Sequence, residues 1–191
     1  PPRSTLFPYT TLFRSQQIDV DVFTDPVSGK SYLYWGNGYM AGAELNEDML
    51  SIKENTLTVL TPKGGSLKDY AFREAAYVFY RNGLYYFMWS VDDTGSPYYH
   101  VAYGTSKSPL GPIKVAKKPV VLIQDPAKEI YGPAHNAVLQ IPGTDEWYIV
   151  YHRINKNFID REKGPGVHRE VCIDRMEFNP DGTIRKVVPT L

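Results

Sequence analysis

The chain has 191 residues, 42% hydrophobic and 14% aromatic, with 21 basic side chains against 21 acidic ones. That length allows one ordinary domain or a piece of a larger one. The even charge balance argues against a broad nucleic-acid surface or a polybasic membrane surface, and no apolar run approaches the roughly 18 residues that a transmembrane helix needs. A single cysteine, Cys172, excludes a disulfide framework and a multi-cysteine zinc site. The four histidines, His100, His135, His152 and His168, are poorly spaced for a mixed metal site. Fifteen Tyr, fifteen Gly and fifteen Pro point to turn-rich β structure.

Residues 1–15, PPRSTLFPYTTLFRS, carry no acidic group and nearly repeat themselves. The stretch TLFPYTTLFRS (5–15) matches, residue by residue, the in-frame translation of a common short-read sequencing adapter. It is therefore set apart as a non-native segment, as one sets apart an expression scar. Without Arg3 and Arg14, residues 16–191 carry 19 basic and 21 acidic groups, a net of −2. No methionine stands near residue 16, so the natural chain is expected to extend upstream.

In chain order, three segments share one layout. They are 18–36 (IDVDVFTDPVSGKSYLYWG), 72–90 (FREAAYVFYRNGLYYFMWS) and 132–153 (GPAHNAVLQIPGTDEWYIVYHR). Each opens with a β-prone run, turns on polar residues, and continues in an aromatic-rich strand. The turns are Asp25-Pro26-Val27-Ser28-Gly29, Arg81-Asn82-Gly83 and Pro142-Gly143-Thr144-Asp145. Turn residues between two β-prone runs are a hairpin signal. Each hairpin is followed by a second unit, at 40–52, 100–113 and 169–184, read as a strand, a polar turn and a short last strand. Only 43–52 offers a helix candidate. Four short antiparallel strands repeated at about sixty residues describe β-propeller blades, and a β-sandwich is the alternative. Three blades cannot close a ring, so the chain is expected to be all-β, a partial propeller with an open edge.

The inner strand of a blade starts where side chains converge on the axis. Aligning the repeats places Asp19, Glu74 and His135 at equivalent positions. Two carboxylates and a histidine pointing at one another have chemical use. In glycoside hydrolysis, one carboxylic acid protonates the leaving oxygen and a carboxylate activates water. The plainer reading makes an aspartate at a strand start a turn cap. Glu74 is harder to explain that way, because it sits among apolar neighbours and a buried glutamate needs a partner or a role.

At these same residues the sequence resembles glycoside hydrolase family 43. Ile18-Asp19, Phe23 and the run 29–36 (GKSYLYWG) look like the family's Ile-Asp-Pro…Phe…Asp-Gly-Lys-x-Tyr-Leu-x-x-Gly stretch. Arg73-Glu74-Ala75-Ala76 is similar to its Glu-x-Pro motif, and Tyr131-Gly132-Pro133-Ala134-His135-Asn136-Ala137 to its Gly-x-Gly-His-x-Ser motif. The run 148–153, Asp174-Arg175 and the run 181–184 also look familial. The resemblance covers nearly all of 16–191. Departures fall at Val20, Ala76, Ala134 and Ala137, which are backbone-shaping or hydrogen-bonding positions, while the carboxylates and the histidine are kept.

The resemblance implies a five-bladed β-propeller of which these residues are the C-terminal three blades. It implies an inverting glycosidase acting on arabinose- or xylose-containing chains, an α-L-arabinofuranosidase or β-xylosidase, with an endo-arabinanase or a non-catalytic carbohydrate-binding propeller as alternatives. Glu74 would be the general acid. Asp19 would tune its pKa and orient it. His135 would sit at the channel floor, where many members hold a hydrated calcium or sodium ion. No organic cofactor is implied. Arg169 is a candidate for sugar hydroxyls or for a rim salt bridge. Trp35, Trp89 and Tyr131 are candidates for stacking on sugars or for inter-blade core. The family's general base lies in the first blade, upstream of these residues, so this chain alone is expected to be inactive. The expected partner is a pentose-containing oligo- or polysaccharide, not nucleic acid or membrane. Polymer substrates slightly favour an extracellular or periplasmic site over the cytoplasm.

Overall fold

A computed structural model describes residues 17–63, 67–158 and 168–190. Residues 1–16, and with them the adapter-like segment, lie outside the described residues. The described residues form eleven strands in three antiparallel sheets. The first sheet orders β1 (Asp21–Thr24), β2 (Ser31–Trp35), β3 (Ala41–Glu44) and β4 (Thr58–Val59). A four-residue helix, α1 (Leu67–Tyr70), leads into the second. That sheet orders β5 (Glu74–Arg81), β6 (Leu84–Val91), β7 (His100–Ser106) and β8 (Lys114–Leu122). The third orders β9 (Ala134–Gln140), β10 (Trp147–Ile154) and β11 (Arg169–Met176). Strands follow one another in space as in sequence, so each sheet is an up-and-down blade and the chain is a partial β-propeller.

The turns form for the reasons their residues suggest. Asp25 accepts the backbone N–H groups of Val27 and Ser28, both at 3.1 Å, and Gly29 closes the bend at φ 72°. Asn82 and Gly83, at φ 49° and 80°, join β5 to β6 by the two-residue turn that suits the strand twist. Gly143, at φ 77°, turns β9 into β10.

Two readings are corrected. The helix candidate at 43–52 is the end of β3 followed by turns, with Leu45 bridged to Ile52. Gly42 explains the strand: a Cβ there would stand 2.7 Å from Leu60 Cδ1, so the small residues of 41–43 serve close packing between strands. The second units also end elsewhere than expected. β4 lies at Thr58–Val59 rather than near Ile52, and β8 begins at Lys114, after the unit read at 100–113. In the third blade the expected last strand is a single bridge, Phe178 to Ile184.

Aromatic layers hold the blades face to face. Between the first two sheets, Tyr34, Phe87 and Trp89 are fully buried, with Tyr34 edge-on to Phe87 at 5.8 Å. Between the second and third, Phe79 stacks on Tyr86 at 4.8 Å and meets Trp147 at 5.2 Å. At the outer turns, Tyr85 donates to Asp25 at 3.0 Å and Arg81 clamps Asp145, so neighbouring blades are also pinned by polar bonds.

Candidate active site

The inner strands β1, β5 and β9 stand side by side, and side chains from β1, the residues before it and β6 cap backbone groups of β5 and β9. Asp19 Oδ2 accepts the Ala75 N–H at 3.2 Å, and Asp21 Oδ2 accepts the Val78 N–H at 3.1 Å. Ser90 Oγ, at the end of β6, accepts the His135 N–H at 3.0 Å. The Val78 amide lies on the open edge of β5, whereas the Ala75 and His135 amides need partners because the ladders are interrupted there. β5 slips register against β6 between Glu74 and Tyr77, and β10 slips against β9 between Val150 and His152. An amide released by a bulge must find another acceptor. At the same level Asp19, Ala75 and His135 take left-handed φ angles of 55°, 59° and 53°. Backbone of this kind in non-glycine residues is costly and gathers where geometry is used.

The result is a cluster. Asp19, Glu74 and His135 each bring one donor atom within 4.8 Å of the other two. Glu74 is buried, Asp19 half-buried and His135 exposed, so the group runs from interior to solvent. Glu74 Oε1 accepts the Tyr99 hydroxyl at 2.8 Å and Oε2 accepts the Asn37 amide at 2.9 Å. Burial and the charge of Glu74 push the Tyr99 phenol well above its ordinary range, so it stays a hydroxyl. A cavity of about 390 Å³ opens along the inner strands, lined by Asp19, Asp21, Tyr77, His135 and His152 among others. Glu74 does not line it and joins it through Asp19 and His135. Burial raises the Asp21 carboxyl above its usual value. The His152 ring stands 5.9 Å from Tyr99 and 5.7 Å from His135. Burial first, then the charges of Arg169 and His135, push it down to about 4.

The structure thus brings together three of the residues picked from sequence and separates the rest. Trp35 and Trp89 are fully buried, Trp35 in the outer core of the first blade and Trp89 between the first two. With no exposed face they are core, not sugar platforms. Tyr131 is half-buried, and its carbonyl accepts the Ile154 N–H at 3.0 Å. Arg169 is exposed and donates to Thr94 Oγ1, beside the turn that follows β6. Neither lines the cavity.

Sequence reading missed Asn37 and Tyr99. Asn37 sits in the turn between β2 and β3, and Tyr99 just before β7, so neither lies on the inner strands that the repeat alignment compares. One signal was available. The Gly36-Asn37-Gly38 run marks a tight turn: Gly36 takes φ 133°, and a Cβ there would fall 1.9 Å from the Tyr39 carbonyl oxygen, so only glycine fits beside Asn37.

The family model described as Glycosyl hydrolases family 43 matches residues 4–184, starting inside the adapter-like segment. The chain is 37% identical over 182 residues to a β-D-galactofuranosidase of Aspergillus niger, covering 95% of this chain and 48% of that protein. It is 26% identical to an arabinoxylan arabinofuranohydrolase of Paenibacillus polymyxa, covering 83% of this chain and 26% of that protein. The chain therefore spans about half and about a quarter of the length of these relatives. Among solved structures, a thermostable family-43 glycoside hydrolase superposes with a TM-score of 0.78 at 27% identity, covering 97% of this chain and 61% of that one.

Proposed function

Since the chain belongs to glycosyl hydrolase family 43, we propose that it is the C-terminal three blades of an inverting glycosidase that cleaves furanose- or xylose-containing chains. The Asp19–Glu74–His135 cluster carries this reading. Glu74 acts as the general acid that protonates the leaving oxygen, and Asp19 orients it. Their spacing supports the division of roles. An inverting acid and base stand about 6.5–9.5 Å apart to admit a water. Asp19 and Glu74 approach within 4.8 Å, too close for that water, which favours Asp19 as the orienting partner; the resemblance to the family implies a base in an upstream blade.

The substrate class is a proposal of the same standing. An α-L-arabinofuranoside fits the relation to an arabinofuranohydrolase. A β-D-galactofuranoside is favoured by the 37% identity to a galactofuranosidase. The two sugars share their ring configuration and differ in the exocyclic arm. His135, at the exposed end of the cluster, also fits a hydrated hard cation that it would reach through water. Such an ion would supply positive charge at the channel floor.

The test is Glu74→Gln in the full-length protein to which this chain is proposed to belong. Hydrolysis of an unactivated oligosaccharide should fall by about 10²–10⁴. Undiminished hydrolysis would remove Glu74 from the acid role.

A further inference from the structure

The two oxygens of Glu74 are held in different ways. Tyr99, at Oε1, offers a hydroxyl that can turn to donate or accept. Asn37, at Oε2, offers an amide that cannot turn. Arg73 Nη1 donates to Asn37 Oδ1 at 2.9 Å, while Asn37 Nδ2 donates to Glu74 at 2.9 Å. Flipping the amide would set Oδ1 against a carboxylate and Nδ2 against a guanidinium, two repulsive contacts in place of two bonds. Arg73 is also bonded on its far side, where its Nη2 donates to Asp93 Oδ2 at 3.1 Å in the exposed turn after β6. The backbone repeats the clamp, with the Gly38 N–H bonded to the Arg73 carbonyl at 2.6 Å and the Arg73 N–H to the Ser90 carbonyl at 2.9 Å.

We propose that Asn37 is a positioning residue for the general acid, holding the Glu74 carboxyl in one rotamer, and that Arg73, bonded to Asp93, sets the Asn37 amide. This rests on the reading of Glu74 as the acid. General acid catalysis matters only when the leaving group needs a proton, which gives the relay a signature that a structural role lacks. A dinitrophenolate leaves without protonation; a sugar hydroxyl does not.

The experiment compares kcat and KM of the full-length enzyme on a dinitrophenyl furanoside and on an unactivated oligosaccharide. Asn37→Ala should lower kcat on the oligosaccharide by about 10- to 100-fold, the cost of a group displaced by about an ångström. It should leave the dinitrophenyl rate and both KM values within roughly twofold. Glu74→Gln should show the same split, larger. Arg73→Gln should show it in smaller measure, and it carries the test if Asn37→Ala does not fold. Equal losses on both substrates, or no loss on either, beside a split in Glu74→Gln would overturn the relay and leave the acid standing. No split in Glu74→Gln would overturn the acid and the relay together.

Discussion

At their outer turns the inner strands bend on Gly29, the Asn82-Gly83 pair and Gly143; at their axial ends they place Asp19, Ala75 and His135 in the same left-handed region of φ. The outer turns use glycine, or asparagine beside it, where a positive φ costs little. The axial ends impose it on an aspartate, an alanine and a histidine, interrupt the ladders of β5 and β10, and recruit side chains to cap the freed amides. One repeated strand thus has a relaxed end that turns the chain and a constrained end that aims side chains. The stability of these blades belongs to the aromatic layers between sheets, and the chemistry to the end where the backbone departs from its rest state.

Substitutions at the two kinds of place should separate these roles. The largest effect on stability is expected from Trp89→Ala, which empties a fully buried site between the first two blades. It should destabilise the chain by about 3–5 kcal/mol in denaturant unfolding, whereas Glu74→Gln should shift the midpoint far less. A smaller effect of opposite sign is expected from Ala75→Gly, which relieves a left-handed alanine at φ 59°. Stability should rise by up to about 1 kcal/mol, while hydrolysis by the full-length enzyme slows because the bulge beside Glu74 is freed. A gain in both would mean that the strained bulge serves no purpose in aiming the acid.

The smallest effect belongs to the outer turns. Arg81, and then the Trp147 indole, hold the Asp145 carboxyl down to about 2. A carboxyl whose folded value lies below its unfolded one contributes stability above about pH 4 and loses it as the pH falls toward 2. The difference in melting temperature between the chain and Asp145→Asn should therefore shrink across that window. It should stay small throughout, because Asp145 is largely exposed. A difference that does not change with pH would mean that the Arg81 contact leaves stability untouched.

The relaxed ends were the legible ones. Asn82-Gly83 and the Asp25 turn announce hairpins by local rules, and the sixty-residue repeat follows from their recurrence. The axial cluster was legible because the same repeat puts Asp19, Glu74 and His135 in register. What holds Glu74 was not, since Asn37 and Tyr99 reach it from turns in two different blades and no spacing along the chain encodes that approach. Trp35 and Trp89 mislead for a related reason. An aromatic strand looks the same whether its rings face a sugar or a neighbouring sheet, and only the packing of sheet on sheet decides. The run at 43–52 reads as a helix because alanine and glutamate favour one, but pairing of β3 with β2 and the need for small residues against Leu60 override that preference.

The central claim is that the constrained end of β5 presents a general acid. The most direct test is the pH dependence of kcat/KM for the full-length enzyme and its Glu74→Gln variant on an unactivated oligosaccharide, whose leaving group needs the proton. If Glu74 is the acid, the fall in rate on the alkaline side of the wild-type profile disappears in the variant while the acidic side remains, because only the base still titrates. An alkaline fall kept unchanged in Glu74→Gln would contradict the assignment and move the acid to another residue.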